Sequence, residues 1–446
     1  MVVTLTNLLT LGLGTNLGNR RANLRQAVIA LEETGLVSNV ALSPVYETAP
    51  WGVIDQPDFL NICLQGSTAL APEPLLYAIK DLENQLGRRP AERYGPRLID
   101  IDILAHGDQV IDQGRLKVPH PGLPERLFVL APLADLAAEW AHPVTGDTVV
   151  EMLHRHAYAG VRRLPLPLFW GRRTLVMGIL NITPDSFSGD GLLAQEAEIN
   201  TAVDQAVRFA NDGADFIDIG GESTRPGSTP VTAAEEMARI LPVISAVRRA
   251  VRVPISVDTF RAETAQAALE AGADLVNDVW GLRMDPEMAG VVVAAGCPVI
   301  VMHNRSRPKN VAQETLLGGR YVGIEYDDLL VDIGRELQES VDRALAAGVD
   351  PANIIIDPGI GFGKTVSQNC RLLRELDTLR DLGYPILIGP SRKSFIGYTL
   401  NLPPHDRVEG TAATVAIGID RGADIVRVHD VTAMVRVARM TDRIVR

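Results

Sequence analysis

Residues 159–180 read AGVRRLPLPLFWGRRTLVMGIL, and the chain changes character inside them. Pro165 and Pro167 each fix φ and remove a backbone donor, so this part can run neither as a helix nor as a central strand. Arg pairs flank alternating leucines, the composition of a connector whose apolar residues rest against a neighbouring domain. From Thr174 the sequence becomes TLVMGIL, an unbroken apolar run of the kind needed by a strand buried on both faces. A chain of 446 residues exceeds what one core usually serves. We read two domains, 1–158 and 174–446, joined by a linker at 159–173.

To the right of the linker the pattern repeats. TLVMGIL, DFIDIGG, PISVD, DLVND, PVIVMH, NIIID, PILIG and DIVRVH alternate with helix-patterned segments such as AAEEMARILPVISAVRRA. Eight strand candidates with helices between them match an α/β (β/α)8 TIM barrel; an open doubly wound sheet is the alternative. To the left, strands are expected near 7–14, 39–48, 58–69 and 97–105, and helices near 19–34 and 72–86. Asn19 suits a helix cap, and Pro72 and Pro74 suit a first helical turn. This order is that of an α+β ferredoxin-like domain.

The net charge of −12 argues against nucleic acid or an anionic membrane as partner. Cys63, Cys297 and Cys370 are scattered, with no CxxC pair, which indicates neither a disulfide framework nor a zinc-thiolate site. The longest apolar run, GVVVAAGCPVIVM, is too short to cross a bilayer. With no basic residue before Arg20, a charged leader is not expected, and the expected location is cytoplasmic.

Each barrel run meets polar residues near its end: Asn181, Asp218, Asp258, Asn277, His303, Asp357, Lys393, and Arg427 with His429. A lone Asp or Asn there is ordinarily a cap or turn former. Eight strand ends in phase, with Lys393, Arg427 and His429 among their residues, indicate a pocket at the carboxyl ends of the strands, where such barrels do chemistry. Asp258, Asn277 and Asp357 offer acceptors and amide donors for a flat heterocycle with amino and oxo groups. Arg427, His429 and Asn181 suit a diphosphate, with Asn181 able to share a metal ion. His303 is assigned no chemical role. Two polar loops, NITPDSFSGDG and GGESTRPGSTP, can close over the mouth.

In the first domain, RLIDIDIL (97–104) puts Asp100 and Asp102 on one strand face. Like charges so close repel unless cations sit between them, and Mg²⁺ favours one or two carboxylates plus substrate phosphates. GRRPAERYGPR just upstream supplies Arg88, Arg89, Arg93 and Arg97. That combination fits nucleotide phosphoryl chemistry; on spacing alone an ordinary exposed strand face fits D-x-D equally. PGIGFGKT and GLGTNLG are near misses of phosphate-loop and dinucleotide patterns, and both are discounted.

These residues carry two family resemblances. MGILNITPDSFS, DIGGESTRPGS, ISVDTF, VND, IIIDPGIGFGK, GPSRKSF and VRVHD resemble the successive motifs of dihydropteroate synthase. The resemblance implies a barrel joining 6-hydroxymethyl-7,8-dihydropterin diphosphate to p-aminobenzoate. It implies Asp258, Asn277, Asp357 and Lys393 on the pterin. Asn181, Arg427 and His429 would then take diphosphate and Mg²⁺, and Thr224, Arg225, Phe362 and Ser394 the p-aminobenzoate side. A homodimer through the barrel is implied as well. GLGTNLGNR, YETAPWGVIDQPDFLN, LENQLGR, RYGPRLIDIDIL and VPHP resemble 6-hydroxymethyl-7,8-dihydropterin pyrophosphokinase, which moves a diphosphoryl group from ATP and releases AMP.

That second resemblance implies Mg²⁺ on Asp100 and Asp102, and a pterin sandwiched by Phe59 and Phe128 and read by Asn61 and Thr48. Arg88, Arg89, Arg97, His120 and Arg126 would contact nucleotide and phosphate, and Glu83 lies in the ATP-side motif. Isolated phenylalanines would otherwise read as core. The arginine loop is one residue shorter than the commonest pattern, so Arg88 and Arg89 are alternatives for the phosphate contact. Two rival readings remain: a pterin-binding methyltransferase barrel, and a binding protein whose first domain is an inactive folding module.

Overall fold

Strand β1 (Asn7–Thr15) opens the first sheet and is flanked by a strand on each side. After it come α1 (Arg20–Glu33), β2 (Ser38–Leu42), β3 (Tyr46–Thr48), β4 (Phe59–Thr68), α2 (Pro72–Gln85) and β5 (Asp100–His106). The sheet runs β5-β1-β4-β3, with β2 also on β4 and all these neighbours antiparallel, which is the ferredoxin-like order. This computed structural model describes residues 7–89, 95–156, 160–182, 192–223, 231–306, 311–312, 314, 316–322 and 325–446.

Local chemistry explains the boundaries. The Asn19 side chain accepts from the Ala22 N–H at 3.0 Å, a cap worth about 1 kcal/mol. The apolar stretch 39–48 forms two strands because Pro44 cannot donate to a ladder; the Cys63 N–H bonds the Ser43 hydroxyl instead, at 2.9 Å. β5 begins only at Asp100, since the Arg97 backbone is engaged by Asn16 through bonds of 2.8 and 3.1 Å. Ile99, Ile101 and Ile103 join Leu9, Leu11 and Leu13 in one core. Leu104 points to the other face, where Tyr46 and Cys63 pack with residues of α3 (Leu127–Ala137).

The chain divides into two compact units, 1–169 and 170–446. Much of the stretch read as a linker belongs to the first: Val161–Arg163 pairs antiparallel with β3, and Leu168 is buried in the first core.

In the second unit eight parallel strands follow one another around a barrel: Leu175–Asn181, Phe216–Gly220, Ile255–Asp258, Leu275–Asp278, Val299–Met302, Ile354–Asp357, Leu387–Ile388 and Ile425–Val428. The ring closes between the sixth and seventh through one bridge, Ile356 to Ile386. Outward residues such as Ile217, Val257 and Val426 pack on the helices. The alternate positions, Met177, Phe216, Leu275, Ile300, Ile355 and Leu387, are buried and plug the interior.

The aspartates that open three of the runs serve the lower rim. Asp215, Asp274 and Asp424 accept the N–H of Val176, Ile255 and Ile386 on the neighbouring strand at 2.9–3.0 Å. Each thereby satisfies a backbone donor that would otherwise be buried unpaired. None of the helices among the described residues is long and apolar enough to cross a membrane.

Candidate active sites

Two glycines make room for the first site. Gly12 and Gly14 on β1 lie opposite Asp102 and Asp100. A Cβ at Gly14 would sit 2.8 Å from the Asn61 side-chain oxygen. Both glycines floor a cavity of about 290 Å³ whose walls include Thr48, Phe59, Asn61, Arg88, Arg97, Asp100, Asp102, His120, Arg126 and Phe128. Asn61 donates to the Thr48 hydroxyl at 2.8 Å, which fixes its amide. Phe128 is carried by α3, which Asp135 ties to β3 through the Tyr46 hydroxyl at 2.6 Å.

Cationic side chains surround the carboxylate pair. Arg88 reaches Asp100 at 2.9 Å, Arg97 also bonds Asp100, and Arg126 stands 3.5 Å from Asp102. Burial, then the Asp100 charge, holds the Asp102 carboxyl above its ordinary value. His120 accepts the Gly122 N–H on Nδ1 at 3.0 Å, and its Nε2 lies 3.5 Å from Arg126 Nη1. Burial lowers its basicity, with Asp102 opposing.

Glu83 is 1% exposed. It accepts the N–H of Ile101, the residue between the two aspartates, at 2.7 Å, and pairs with Arg88 and Lys80. Arg89 is exposed and takes part in none of these pairs. Arg93 lies outside the described residues. Among the described residues no group of three or more Asp, Glu, His or Cys could hold a metal. Two half-buried carboxylates fit a cation completed by phosphate oxygens rather than an all-protein cage.

The barrel site stands on the apolar plug. Arg427 on the last strand donates from Nε to Asp218 at 2.6 Å and from Nη2 to Asp258 at 2.6 Å. Asn277 approaches Asp218 at 3.3 Å. Burial works against the Arg427 cation, yet Asp218 and Asp258 hold it above its ordinary value. Burial pushes Asp258 up to about 7 against the pull of Arg427. It pulls Lys393 down to about 7, with Asp357 opposing and Arg427 adding to the effect.

Asp357 is anchored by the Gly359 N–H at 2.7 Å. The Lys393 ammonium lies 4.3 Å from the Phe362 ring centre, and Ser394 begins the next helix. His429 meets the Ser391 hydroxyl at 3.1 Å through Nδ1. Asn181 ends the first strand beside Gly220. Thr224 and Arg225 lie outside the described residues, as do most of the two polar loops.

Sequence reasoning missed several participants. Asp218 was noticed only as a strand-end residue, although Arg427 on the eighth strand needed a buried counter-charge. Lys364 is buried, its ammonium shared among His303 Nδ1 at 3.0 Å and the carbonyls of Gly359 and Phe362 at 2.9 and 3.1 Å. His303 meets Glu336 at 3.1 Å on its other nitrogen, and burial pulls it down to about 3. Lys80 was missed as well, and its signal was present as the i,i+3 partner of Glu83 on an amphipathic helix.

A cavity built for cations and phosphate, followed by a barrel whose mouth pairs carboxylates with fixed cations, defines a two-domain transferase acting on flat, anionic substrates. Residues 177–429 match the family described as pterin binding enzyme, and residues 10–138 match 7,8-dihydro-6-hydroxymethylpterin-pyrophosphokinase. A mitochondrial folate synthesis bifunctional protein of Arabidopsis thaliana is 38% identical, over 98% of this chain and 83% of its own. The folic acid synthesis protein of Pneumocystis carinii is also 38% identical, but this chain spans 59% of its length. A dihydropteroate synthase of Clostridium difficile, crystallised in the presence of pteroic acid, superposes with a TM-score of 0.56 and 45% identity. That likeness covers 62% of this chain and 98% of the other. The chain belongs to the bifunctional folate synthesis proteins, with a pyrophosphokinase domain followed by a dihydropteroate synthase domain.

Proposed function

We propose that the chain carries out two consecutive steps of folate synthesis: ATP-dependent diphosphorylation of 6-hydroxymethyl-7,8-dihydropterin with release of AMP, then condensation of the product with p-aminobenzoate to 7,8-dihydropteroate and diphosphate. The observation that carries this reading is the paired chemistry: each half couples a heterocycle-sized polar slot to a cluster of cations, and the product of the first is the substrate of the second.

In the first half, Phe59 and Phe128 flank the pterin, and Asn61, held by Thr48, reads its edge. The hydroxymethyl oxygen attacks the β-phosphorus of ATP and the bond to the α-phosphate oxygen breaks. Arg88, Arg97, His120 and Arg126 carry the charge that develops on the phosphates. Arg88 rather than Arg89 makes the inner contact, because it already reaches Asp100. Asp100 and Asp102 would hold Mg²⁺, which neutralises phosphate oxygens when bound. Glu83 keeps the strand carrying both carboxylates in register and orients Arg88.

In the second half, Asp258, Asn277, Asp357 and Lys393 hold the pterin. Arg427, His429 and Asn181 hold the diphosphate, and Asn181 would share Mg²⁺ with it, an ion that would neutralise the leaving oxygens. The carbon–oxygen bond to diphosphate breaks as Arg427 and His429 take up its charge. The ring nitrogens stabilise the cationic methylene, the aryl amine attacks it, and a proton leaves the nitrogen. Phe362 and Ser394 line the amine's side, to which the family resemblance also assigns Thr224 and Arg225. If diphosphate release depends strictly on the amine, this dissociative order is wrong.

The barrel pairs with a second copy, and sedimentation tests this. The three free cysteines persist in a reducing compartment, and we assign the cytoplasm, although relatives include mitochondrial proteins. One assay tests the function: ATP, hydroxymethyl-dihydropterin, Mg²⁺ and p-aminobenzoate, following AMP and dihydropteroate separately. Silence of either product removes that half of the reading.

A further inference from the structure

Arg392 adopts a left-handed backbone, with φ of 56°, between Ser391, which holds His429, and Lys393, which faces Phe362. A side chain other than glycine is strained there and persists only where its surroundings over-determine it. Three groups do so. The Arg392 N–H bonds the Thr411 hydroxyl at 3.1 Å, its carbonyl accepts from Arg407 Nη1 at 2.9 Å, and its own guanidinium is paired with Asp430, from Nε at 2.9 Å.

Arg407 is the unusual member. It is 2% exposed, and it donates to carbonyls rather than carboxylates: Arg392, Leu402 at 3.0 Å and Leu317 at 3.0 Å. Gly397 opens the space for it, because a Cβ there would lie 2.0 Å from Arg407 Nη2. Burying a cation among dipoles is costly, and no substrate-facing atom is required of it. Its bonds join the segment after the fifth strand, at Leu317, to the segment after the seventh. Tyr398 strengthens the same link through the Gly318 carbonyl at 2.9 Å.

The geometry points to Arg407 and Thr411 as positioning residues of the barrel reaction. Together they force Arg392 into its left-handed turn, and that turn aims Lys393 and Ser394 inward while presenting Ser391 to His429. Without them the segment relaxes toward an ordinary backbone, and the lysine that serves the pterin swings out of line. This inference rests on the synthase reading of the barrel.

The test uses the full chain with Arg407→Met, which keeps bulk and removes all donors, and Thr411→Val, which removes one acceptor at constant shape. The pterin diphosphate is supplied directly. Thr411→Val lowers kcat for dihydropteroate about tenfold and raises KM for the diphosphate, while its melting temperature stays within about 3 °C of the parent. Arg407→Met shows the same split, larger. Should Arg407→Met fail to fold, Thr411→Val alone decides. A folded Thr411→Val protein with kcat and both KM values unchanged overturns the inference. A parent chain that makes no dihydropteroate overturns the synthase reading instead, so the two failures are distinct.

Discussion

The two sites handle negative charge in opposite ways. In the first domain the side chains of Asp100 and Asp102 are 20% and 34% exposed, and their arginine partners sit at a cavity wall. In the barrel the side chains of Asp218 and Asp258 are 0% and 11% exposed and share one guanidinium from a barrel strand. The first site therefore leaves its carboxylates open to a cavity that an incoming ligand can complete. The second holds its counter-charges before any substrate arrives, as preorganised electrostatics requires. A strand face beside a loop rearranges more easily than the interior of a barrel.

The largest separation is expected from chelation. Removing Mg²⁺ with EDTA takes AMP release to background, while dihydropteroate formation from supplied diphosphate falls only about tenfold, because Arg427 remains. Equal loss in both assays would break the contrast. Next, Asp102→Ala lowers AMP release about a thousandfold and leaves the second reaction untouched. The domain is not destabilised, since the substitution removes a repulsion.

Arg427→Met is the opposite case. It lowers dihydropteroate formation about a hundredfold and destabilises the barrel by about 3 kcal/mol, since Asp218 loses its counter-charge while fully buried. Urea unfolding of the two variants side by side checks both statements. The smallest effect is a slope. Lys393 has its pKa depressed to about 7, so above that value the folded barrel binds fewer protons than the unfolded chain until the ordinary lysine range is reached. Unfolding free energy therefore rises with pH across that window. Lys393→Met flattens the rise, measurable by denaturant titrations between about pH 7.5 and 9.5.

Much of this was readable in advance because periodicity and motif agree. All eight barrel runs became strands in the expected order, and Asn19, Pro72 and the Asp100/Asp102 alternation behave as their local chemistry requires. What escaped depends on partners distant in sequence. Arg427 and Asp218 are separated by more than half of the second unit, and nothing local in either marks the pair. Arg407 reads as a surface cation until Gly397 is seen to receive it. Residues 161–169 looked like a connector because two prolines hide a three-residue edge strand, and an edge tolerates prolines nearby. Gly12 and Gly14 were weighed as a nucleotide fingerprint, when their use is to leave a strand face bare.

The ring of the barrel has a seam. Its seventh strand is two residues long, Leu387–Ile388, and meets the sixth through the lone bridge from Ile356 to Ile386. Asp357 stands immediately above one lip of that seam, and the turn bearing Lys393 above the other. Any breathing of the cylinder will concentrate there, like the gap in a split collet, and will change the distance between these two groups. A rigid cup elsewhere thus acquires jaws between Asp357 and Lys393.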